Sequence, residues 1–355
     1  MKAPPPLRGR GSVANPKNRF ESIELVPEPQ ADSDKISSPN TQFLTDSSKT
    51  IIAYNDSPDV GFDASINPYR GCEHGCVYCY ARPTHEYLGF SAGLDFETKI
   101  VVKEKAPELL REELSSPKWG PRVLAMSGVT DCYQPIEKRL KLTRRCLEVL
   151  LEFHNPVVIV TKNFLVTRDI DLLSELARYQ CAAVLISLTT LDQRLSGLME
   201  PRASRPDRRL EAIAALSQAG IPVGFLLAPM IPALTDAEAP AIVQTAVRAG
   251  AGFGSYTPLR LPHAVKAIFE GWLEQHYPGK KEKVLNRIRA IRGGKLNDPN
   301  FNSRMRGEGI FAEQMAELFR VACKKAGISE QRPRLSTEHF RRPSGSQLNL
   351  FHAQT

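Results

Sequence analysis

The segment 67–83, NPYRGCEHGCVYCYARP, is the most informative stretch of this 355-residue chain. It contains three of the seven cysteines, spaced C-x3-C-x2-C: Cys72, Cys76 and Cys79. Gly71 and Gly75 lack a Cβ, so the backbone can curl closely enough to point three sulfurs at a common centre. The spacing therefore predicts a metal centre held by a single loop.

Two kinds of metal centre suit three clustered thiolates. An iron–sulfur cube would use all three and leave one iron open to bind another molecule. A structural zinc site needs four protein ligands, and either His74 or His85 could supply the fourth. We favour the cluster, because no second cysteine pair accompanies the first. The zinc alternative, with a non-catalytic metal-binding module as its consequence, stays open at this point.

Seven short apolar runs on either side of this segment are predicted to be strands, at 62–67, 99–103, 122–127, 157–161, 182–188, 222–228 and 252–257. Most are continuous Val, Leu and Ile runs, which are typical of parallel strands covered on both faces. Amphipathic stretches between them predict helices at 136–153, 169–179, 208–220 and 236–250. This alternation predicts an α/β fold whose parallel sheet curls into a full or partial barrel.

The cysteine motif, with Tyr78 as the aromatic residue before the last cysteine, resembles that of the radical SAM superfamily. In that family the cysteines hold a [4Fe–4S] cluster, and S-adenosylmethionine chelates the fourth iron. One electron then cleaves the sulfonium and yields a 5′-deoxyadenosyl radical. The resemblance covers about 60–262, and it implies a partial (β/α)6 TIM-like barrel, which we place at 46–262.

Two longer segments, 70–100 and 126–144, resemble the spore photoproduct lyase branch of this superfamily, also called DNA repair photolyase-like. They are most similar to a subgroup of unknown function. The lyase uses a cysteine hydrogen donor just before a Thr/Ser–Asp pair. Here no cysteine precedes Asp131, so the lyase reaction is not carried over. Cys132 and Tyr133 are the candidates for radical relays at the barrel mouth, with a buried structural role as the alternative.

Ligands of parallel barrels bind at the carboxyl ends of the strands. On that basis the resemblance implies ten cofactor-binding candidates: Tyr78, Ser127, Gly128, Thr130, Asp131, Thr161, Lys162, Ser187, Glu200 and Arg202. An ordinary turn would also use several of these residue types. We prefer Arg202 to Arg205 for the methionyl carboxylate, because a guanidinium donates two parallel hydrogen bonds.

Positive charge is concentrated near the carboxyl end of the chain. Residues 280–342 hold 16 Lys and Arg against 7 Asp and Glu, a local excess of nine, whereas the whole chain carries +8. Helices are predicted at 264–277, 281–292 and 311–327, which makes 263–342 a basic helical region. Such a region is the footprint of a polyanion partner such as DNA, or else a solvated helical surface.

Both ends of the chain have a low-complexity character. Residues 1–45 are rich in Pro, Ser and Asn and are predicted to be disordered. The tail 343–355 ends in a peptide that resembles the one bacterial replication and repair enzymes dock on the DNA sliding clamp, through Gln347, Leu348, Leu350 and Phe351. Chance, or packing of the tail on its own domain, is the alternative.

No apolar run is long enough for a membrane helix, and the amino-terminal residues lack the apolar core of a secretory signal. We therefore expect a cytoplasmic enzyme. The leading hypothesis is a radical SAM enzyme that acts on nucleic acid in DNA repair, by a lyase- or transferase-type reaction. An electron donor such as flavodoxin or ferredoxin is the expected partner. The alternative is radical SAM chemistry on a protein, an RNA or a small molecule.

Overall fold

The structure is a computed structural model that describes residues 7–21, 39–328 and 333–343. Its strands are β1 Gln42–Thr45, β2 Ile52–Tyr54, β3 Ala64–Ile66, β4 Tyr69–Arg70, β5 Lys99–Val102, β6 Leu124–Met126, β7 Val157–Thr161, β8 Ala182–Ser187, β9 Val223–Met230 and β10 Phe253–Pro258. Its helices are α1 Leu94–Thr98, α2 Ala106–Ser115, α3 Glu137–Leu140, α4 Leu142–Phe153, α5 Ile170–Arg178, α6 Gln193–Met199, α7 Pro206–Gln218, α8 Ala239–Arg248, α9 Val265–His276, α10 Pro278–Ala290, α11 Ser303–Arg306 and α12 Ile310–Ala326.

Six parallel strands form the barrel wall. The larger sheet has the order β10-β9-β8-β7-β6-β3-β2, and every pair from β3 to β10 is parallel, while β2 joins the edge antiparallel. All six residues of β8 are buried, as expected for a strand covered on both faces. The prediction of a partial (β/α)6 barrel is confirmed.

Strand β5 lies outside the barrel wall, unlike the other six predicted strands. It pairs parallel with β1 and antiparallel with β4 in a separate three-stranded sheet. Its apolar sequence is like that of a barrel strand, but its neighbours form another small core around Tyr69, Ile100 and Leu142. An apolar run predicts that a strand is buried without specifying which sheet it joins.

The predicted helix at 136–153 is two helices in the structure. Lys141 has a φ of 54°, so the backbone turns through the left-handed region between α3 and α4. The buried Glu137 carboxylate accepts hydrogen bonds from the Thr143 amide at 3.0 Å and the Tyr69 hydroxyl at 2.5 Å. This buried acceptor fixes the break, which the amphipathic pattern does not reveal.

The carboxyl-terminal helices pack directly on the barrel. Phe319 of α12 contacts Phe225 of β9 and Tyr256 of β10, with ring centroids 6.1 and 4.9 Å apart. Helices α9 and α10 form a second core with Cys76 and Val77 of the cysteine loop. Within the described part of the chain, no helix has the length and apolar character needed to cross a membrane.

Residues 7–21 and β1 are ordered in the structure, which corrects the prediction of disorder for these parts of 1–45. Gly11 lies so close to the cysteine loop that an added Cβ would stand 1.8 Å from the Gly75 carbonyl oxygen. Asn15 and Asn18 hydrogen-bond to Asp95 and to the Glu86 and Phe90 carbonyls. The polar composition that suggested disorder therefore supplies hydrogen bonds to a neighbouring surface. The clamp-like peptide lies outside the described residues.

Candidate radical SAM site

The cysteine loop follows β3 and β4 at the carboxyl end of the barrel. Cys72 and Cys76 are buried, and Cys79 is half-buried. Gly71 and Gly75 have φ values of 80° and 68°, which side chains rarely tolerate. The loop thus turns twice in the left-handed region, at the two glycines that directly precede Cys72 and Cys76.

The three sulfurs interact electrostatically. Burial, followed by the charges of Asp131, Cys76 and Cys79, raises the pKa of Cys72 well above its usual value. Burial above all raises the pKa of Cys76 to about 12, in spite of the nearby Lys162 charge. Mutual repulsion of buried thiolates is relieved when a metal centre binds them, because metal ligation favours the deprotonated form.

The histidines that a zinc site would need are held by other residues, His74 through both ring nitrogens and His85 through Nε2. His74 lies with Nδ1 3.4 Å from Asp131 and Nε2 3.1 Å from Asn163. His85 contacts the Lys99 carbonyl at 3.0 Å through Nε2, and burial lowers its pKa to about 4. Within the described ranges, no three Cys, His, Asp or Glu side chains converge tightly enough for one metal ion. The donor set fits a cluster, whose cysteines bind different irons, better than zinc.

A buried ion pair braces the loop from behind. Arg82 pairs with Glu97 at 2.5 Å, and both side chains are fully buried. Arg82 also donates through Nε to the Cys76 carbonyl at 2.9 Å. Glu97 accepts from the amides of Gly11 and Ser12 at 3.0 and 2.9 Å. The amino-terminal arm, residues 7–21, is therefore tied to the cysteine loop through Glu97.

Three cofactor candidates meet Thr189 and Arg209 in one buried network: Tyr78, Lys162 and Glu200. Glu200 accepts hydrogen bonds from the Tyr78 hydroxyl, from Thr189 at 2.8 Å and from the Arg209 guanidinium. Burial opposes ionisation of Glu200, but the Arg209 and Lys162 charges and these hydrogen bonds lower its pKa to about 2. Lys162 lies with Nζ 5.8 Å from the Tyr78 ring centroid. The network joins the cysteine loop to three strand ends.

Asp131 organises a second group of candidates. Its carboxylate accepts from the Thr161 hydroxyl and the Lys162 amide, both at 2.8 Å. Burial opposes ionisation, but the charge and hydrogen bond of His74 and bonds from backbone amides lower the pKa of Asp131 to about 2. Asp131 thus links the segment after β6 to the carboxyl end of β7.

The segment 127–130 closes the end of β6. Ser127 has a φ of 76°, and its hydroxyl accepts from the Cys132 amide at 2.8 Å. The Gly128 carbonyl accepts from the Tyr80 hydroxyl at 2.9 Å, while the Thr130 hydroxyl donates to the Tyr69 carbonyl at 2.8 Å. These contacts give the segment a fixed shape beside the cysteine loop.

Ser187 and the two arginine candidates occupy different surroundings. Ser187 is buried, and its carbonyl accepts from Arg209 at 3.1 Å. Arg202 pairs with Glu73 of the cysteine loop at 2.9 Å, and Arg205 pairs with Asp207 on the surface. The structure thus pairs Arg202 with a carboxylate of the protein itself, in keeping with a salt-bridged turn before a helix, which is the alternative to a cofactor contact.

Cys132 and Tyr133 are completely buried in the main core. The Tyr133 hydroxyl donates to Asp169 at 3.1 Å, beneath Arg168. The Cys132 backbone bonds to Ser127 and to the Thr143 hydroxyl. These positions argue against radical relays at the barrel mouth, and they give both residues the structural role that was the alternative.

Sequence reasoning missed Tyr80, Arg209 and Arg260. Tyr80 directly follows Cys79, and its side chain is 51% exposed, which is unusual for a tyrosine next to a buried metal loop. Arg209 neutralises Glu200, and Arg260 lies over the Tyr80 ring at 5.8 Å. The position of Tyr80 in the motif was the one available signal, since the two arginines are brought in from distant helix and strand ends.

Residues 66–246 match the family model described as the Radical SAM superfamily. The chain belongs to this superfamily. It is therefore a radical SAM enzyme, and the family uses a [4Fe–4S] cluster and S-adenosylmethionine. An uncharacterized protein of Mycobacterium tuberculosis (strain ATCC 25618 / H37Rv) is 34% identical over 248 residues, covering 69% of this chain and 72% of that protein. One of Methanocaldococcus jannaschii is 30% identical over 222 residues, covering 62% and 79%.

Solved structures share the fold. Spore photoproduct lyase complexed with dinucleoside spore photoproduct matches with a TM-score of 0.56 and 17% identity, covering 80% of this chain and 79% of that one. A variant of the same enzyme with bound AdoMet and dinucleoside spore photoproduct gives a TM-score of 0.55 at 17% identity, covering 80% and 78%. This likeness shows a common fold.

Proposed function

We propose that Cys72, Cys76 and Cys79 hold the [4Fe–4S] cluster and that this radical SAM enzyme acts on nucleic acid. The observation that carries the first part is the single loop that gathers three thiols at the carboxyl end of a six-stranded parallel barrel. When bound, the cluster supplies the electron that cleaves S-adenosylmethionine to a 5′-deoxyadenosyl radical.

The protein residues around the loop would bind and orient S-adenosylmethionine. Lys162 is suited to the methionyl carboxylate, because its ammonium lies near Tyr78 and Cys76. Among the described residues, no carboxylate lies within ion-pairing distance of this ammonium. Ser187 and Thr161 stand at neighbouring strand ends. Their side chains, with those of Tyr78 and Glu200, would fix the orientation of the bound molecule. Ser127, Gly128, Thr130 and Asp131 would form the wall beside it.

The nucleic-acid part rests on charge and on fold. The exposed side of α10 carries Lys280 and Lys283, and α12 exposes Arg320, Lys324 and Lys325. Phosphate backbones attract such basic surfaces regardless of sequence. A repair reaction in the cytoplasm, a flavodoxin or ferredoxin as reductant, and docking to a sliding clamp are parts of the same proposal. The alternative substrate class is a protein, an RNA or a small molecule.

The cluster is tested by anaerobic reconstitution with iron and sulfide. We expect a reduced [4Fe–4S] EPR signal that changes on adding S-adenosylmethionine, and release of 5′-deoxyadenosine. The C76A variant should lose both, whereas C323A, which removes a buried thiol far along the chain in α12, should keep them. Stoichiometric zinc in the wild type, or a cluster EPR signal that does not change on adding S-adenosylmethionine, would contradict the proposal.

The substrate class is tested separately, by measuring binding of single- and double-stranded oligonucleotides over a range of salt concentrations. A steep loss of affinity with salt is expected for contacts to phosphates. A chain truncated before 344 tests the clamp peptide, since it should lose clamp binding and keep DNA binding. Cluster chemistry without any nucleic-acid binding would favour the alternative substrates.

A further inference from the structure

Arg260 is an incompletely paired guanidinium at the mouth of the barrel. It follows β10, the last strand of the barrel wall, and its neighbours Leu259 and Leu261 are completely buried. The Leu259 backbone is fixed on both sides, because its amide donates to Met230 at 3.1 Å and its carbonyl accepts from Arg292 at 2.9 Å. The guanidinium therefore projects from a rigid support.

The partners of Arg260 are few and weak. Its Nη1 lies 3.2 Å from the Met305 thioether, which is a weak acceptor, and its buried Nε has no hydrogen-bond partner. No carboxylate among the described residues forms an ion pair with it. By contrast, Arg82 and Arg209 each bind a carboxylate and backbone carbonyls with all three nitrogens. A half-buried guanidinium with unused donors is costly unless another molecule supplies the acceptors.

The electrostatics around Arg260 favour an anion. Burial, followed by the charge of Arg304, lowers the pKa of Arg260. The charge of Arg304 acts on Arg260 and that of Arg260 acts on Arg292, while the nearby carboxylates are Asp59 and Asp298. Three guanidinium groups thus face two carboxylates, and Arg304 already pairs with Asp59. The remaining positive charge is at Arg260.

The location ties this charge to the cysteine loop. The Arg260 guanidinium lies 5.8 Å from the ring centroid of the exposed Tyr80, the residue after Cys79. We infer that Arg260 is a substrate-binding residue, whose guanidinium binds a phosphodiester next to the reacting nucleotide. This inference rests on the proposed nucleic-acid substrate. Arginine suits a phosphodiester because its guanidinium can donate more than one hydrogen bond to phosphate oxygens, and the thioether of Met305 leaves the Nη donors of Arg260 without a strong acceptor.

The inference is tested with the reconstituted holoenzyme and the dinucleotide TpT, which has one phosphate. TpT and its neutral methylphosphonate analogue compete with a labelled oligonucleotide. In the wild type, neutralising the phosphate should weaken binding about tenfold. In R260Q that penalty should disappear, with R260K intermediate. The control K295Q removes an exposed charge from the same region and should keep the full penalty.

The outcomes separate the two proposals. An equal phosphate penalty in wild type and R260Q overturns the role of Arg260 while the nucleic-acid substrate stands. A wild type that cleaves S-adenosylmethionine but binds neither oligonucleotide nor TpT overturns both. If R260Q instead loses affinity for S-adenosylmethionine alone, the guanidinium serves the cofactor carboxylate and the inference is wrong. Unchanged release of 5′-deoxyadenosine without substrate would show that R260Q is folded.

Discussion

Glu200 carries a buried negative charge near the cysteine loop. Its carboxylate is 2% exposed and balances Arg209, whose side chain is equally buried. A residue of this kind is expected to matter for folding as well as for binding, because removing one charge leaves the other unpaired inside the protein. The same residue orients the Tyr78 hydroxyl beside Cys76.

We expect Glu200→Gln to lower the free energy of unfolding by about 3–5 kcal/mol, because Arg209 loses its buried counter-ion. Chemical denaturation of the purified protein measures this change. The matched control is Asp207→Asn, which breaks a surface pair with Arg205 and should have little effect. An equal loss of unfolding free energy in both variants would mean that the buried Glu200–Arg209 pair contributes no more to stability than the surface pair.

The pKa of Glu200 also predicts a pH dependence. Because its folded pKa is about 2, below the ordinary glutamate value of 4.5, its contribution to stability is complete above about pH 4.5 and is lost as the pH falls toward 2. Unfolding curves between pH 7 and pH 3 should show a steeper decline for the wild type than for Glu200→Gln. Parallel curves would show that the carboxylate is not stabilised by folding.

At the scale of elements, the amino-terminal arm supports the cysteine loop through its hydrogen bonds to Glu97. Glu97→Gln weakens the acceptor shared by Gly11, Ser12 and Arg82, so we expect the arm to loosen and the reconstituted cluster to bleach several-fold faster in air. The decay of cluster absorbance measures this rate. The control Glu152→Gln, which alters a half-buried carboxylate paired with Arg111, should match the wild type.

Removing residues 1–21 tests the same role of the arm without altering the buried pair of Arg82 and Glu97. Arg82 and Glu97 then remain together, and Glu97 loses its hydrogen bonds from the Gly11 and Ser12 amides and from the Arg10 guanidinium. Cluster loss should again be faster than in the wild type, by less than in Glu97→Gln. A truncated protein with wild-type cluster lifetime would show that the arm merely rests on the surface.

At the scale of the whole molecule, one ion pair connects the two ends of the open barrel. Asp59 lies in the connection from β2 to β3, at one edge of the sheet, and Arg304 lies in α11 beside β10, at the other. Asp59 also accepts from the Asn302 amide. These contacts close the lateral gap that a six-stranded wall leaves.

We expect Asp59→Asn to loosen this closure without unfolding the barrel. Hydrogen exchange should increase in 55–62 and 298–307, while the amides of β7 and β8 keep wild-type protection, because they lie in the middle of the sheet. Asp63→Asn, which breaks an exposed pair with Arg122, is the control. Uniform exchange changes throughout the sheet would contradict a local role.

The sequence by itself determined the barrel class and the cysteine loop. Strand–helix alternation depends on local hydrophobic periodicity, and Gly71, Gly75 and the three cysteines lie within nine neighbouring positions, so their geometry is largely local. The six barrel strands were predicted for the same reason. Tyr78 also followed from the motif, because it is next to the loop it serves.

Only the tertiary structure decided which distant residues meet at the loop. Arg209 and Glu97 approach it from helices and Arg260 from the end of a strand, and no local pattern encodes these approaches. The contacts of Glu97 and Arg260 join residues 15 or more positions apart. The arm 7–21 has a composition typical of disorder, yet its backbone amides find a buried carboxylate. Local chemistry predicts elements, whereas the pairing of buried charges depends on which elements the chain brings together.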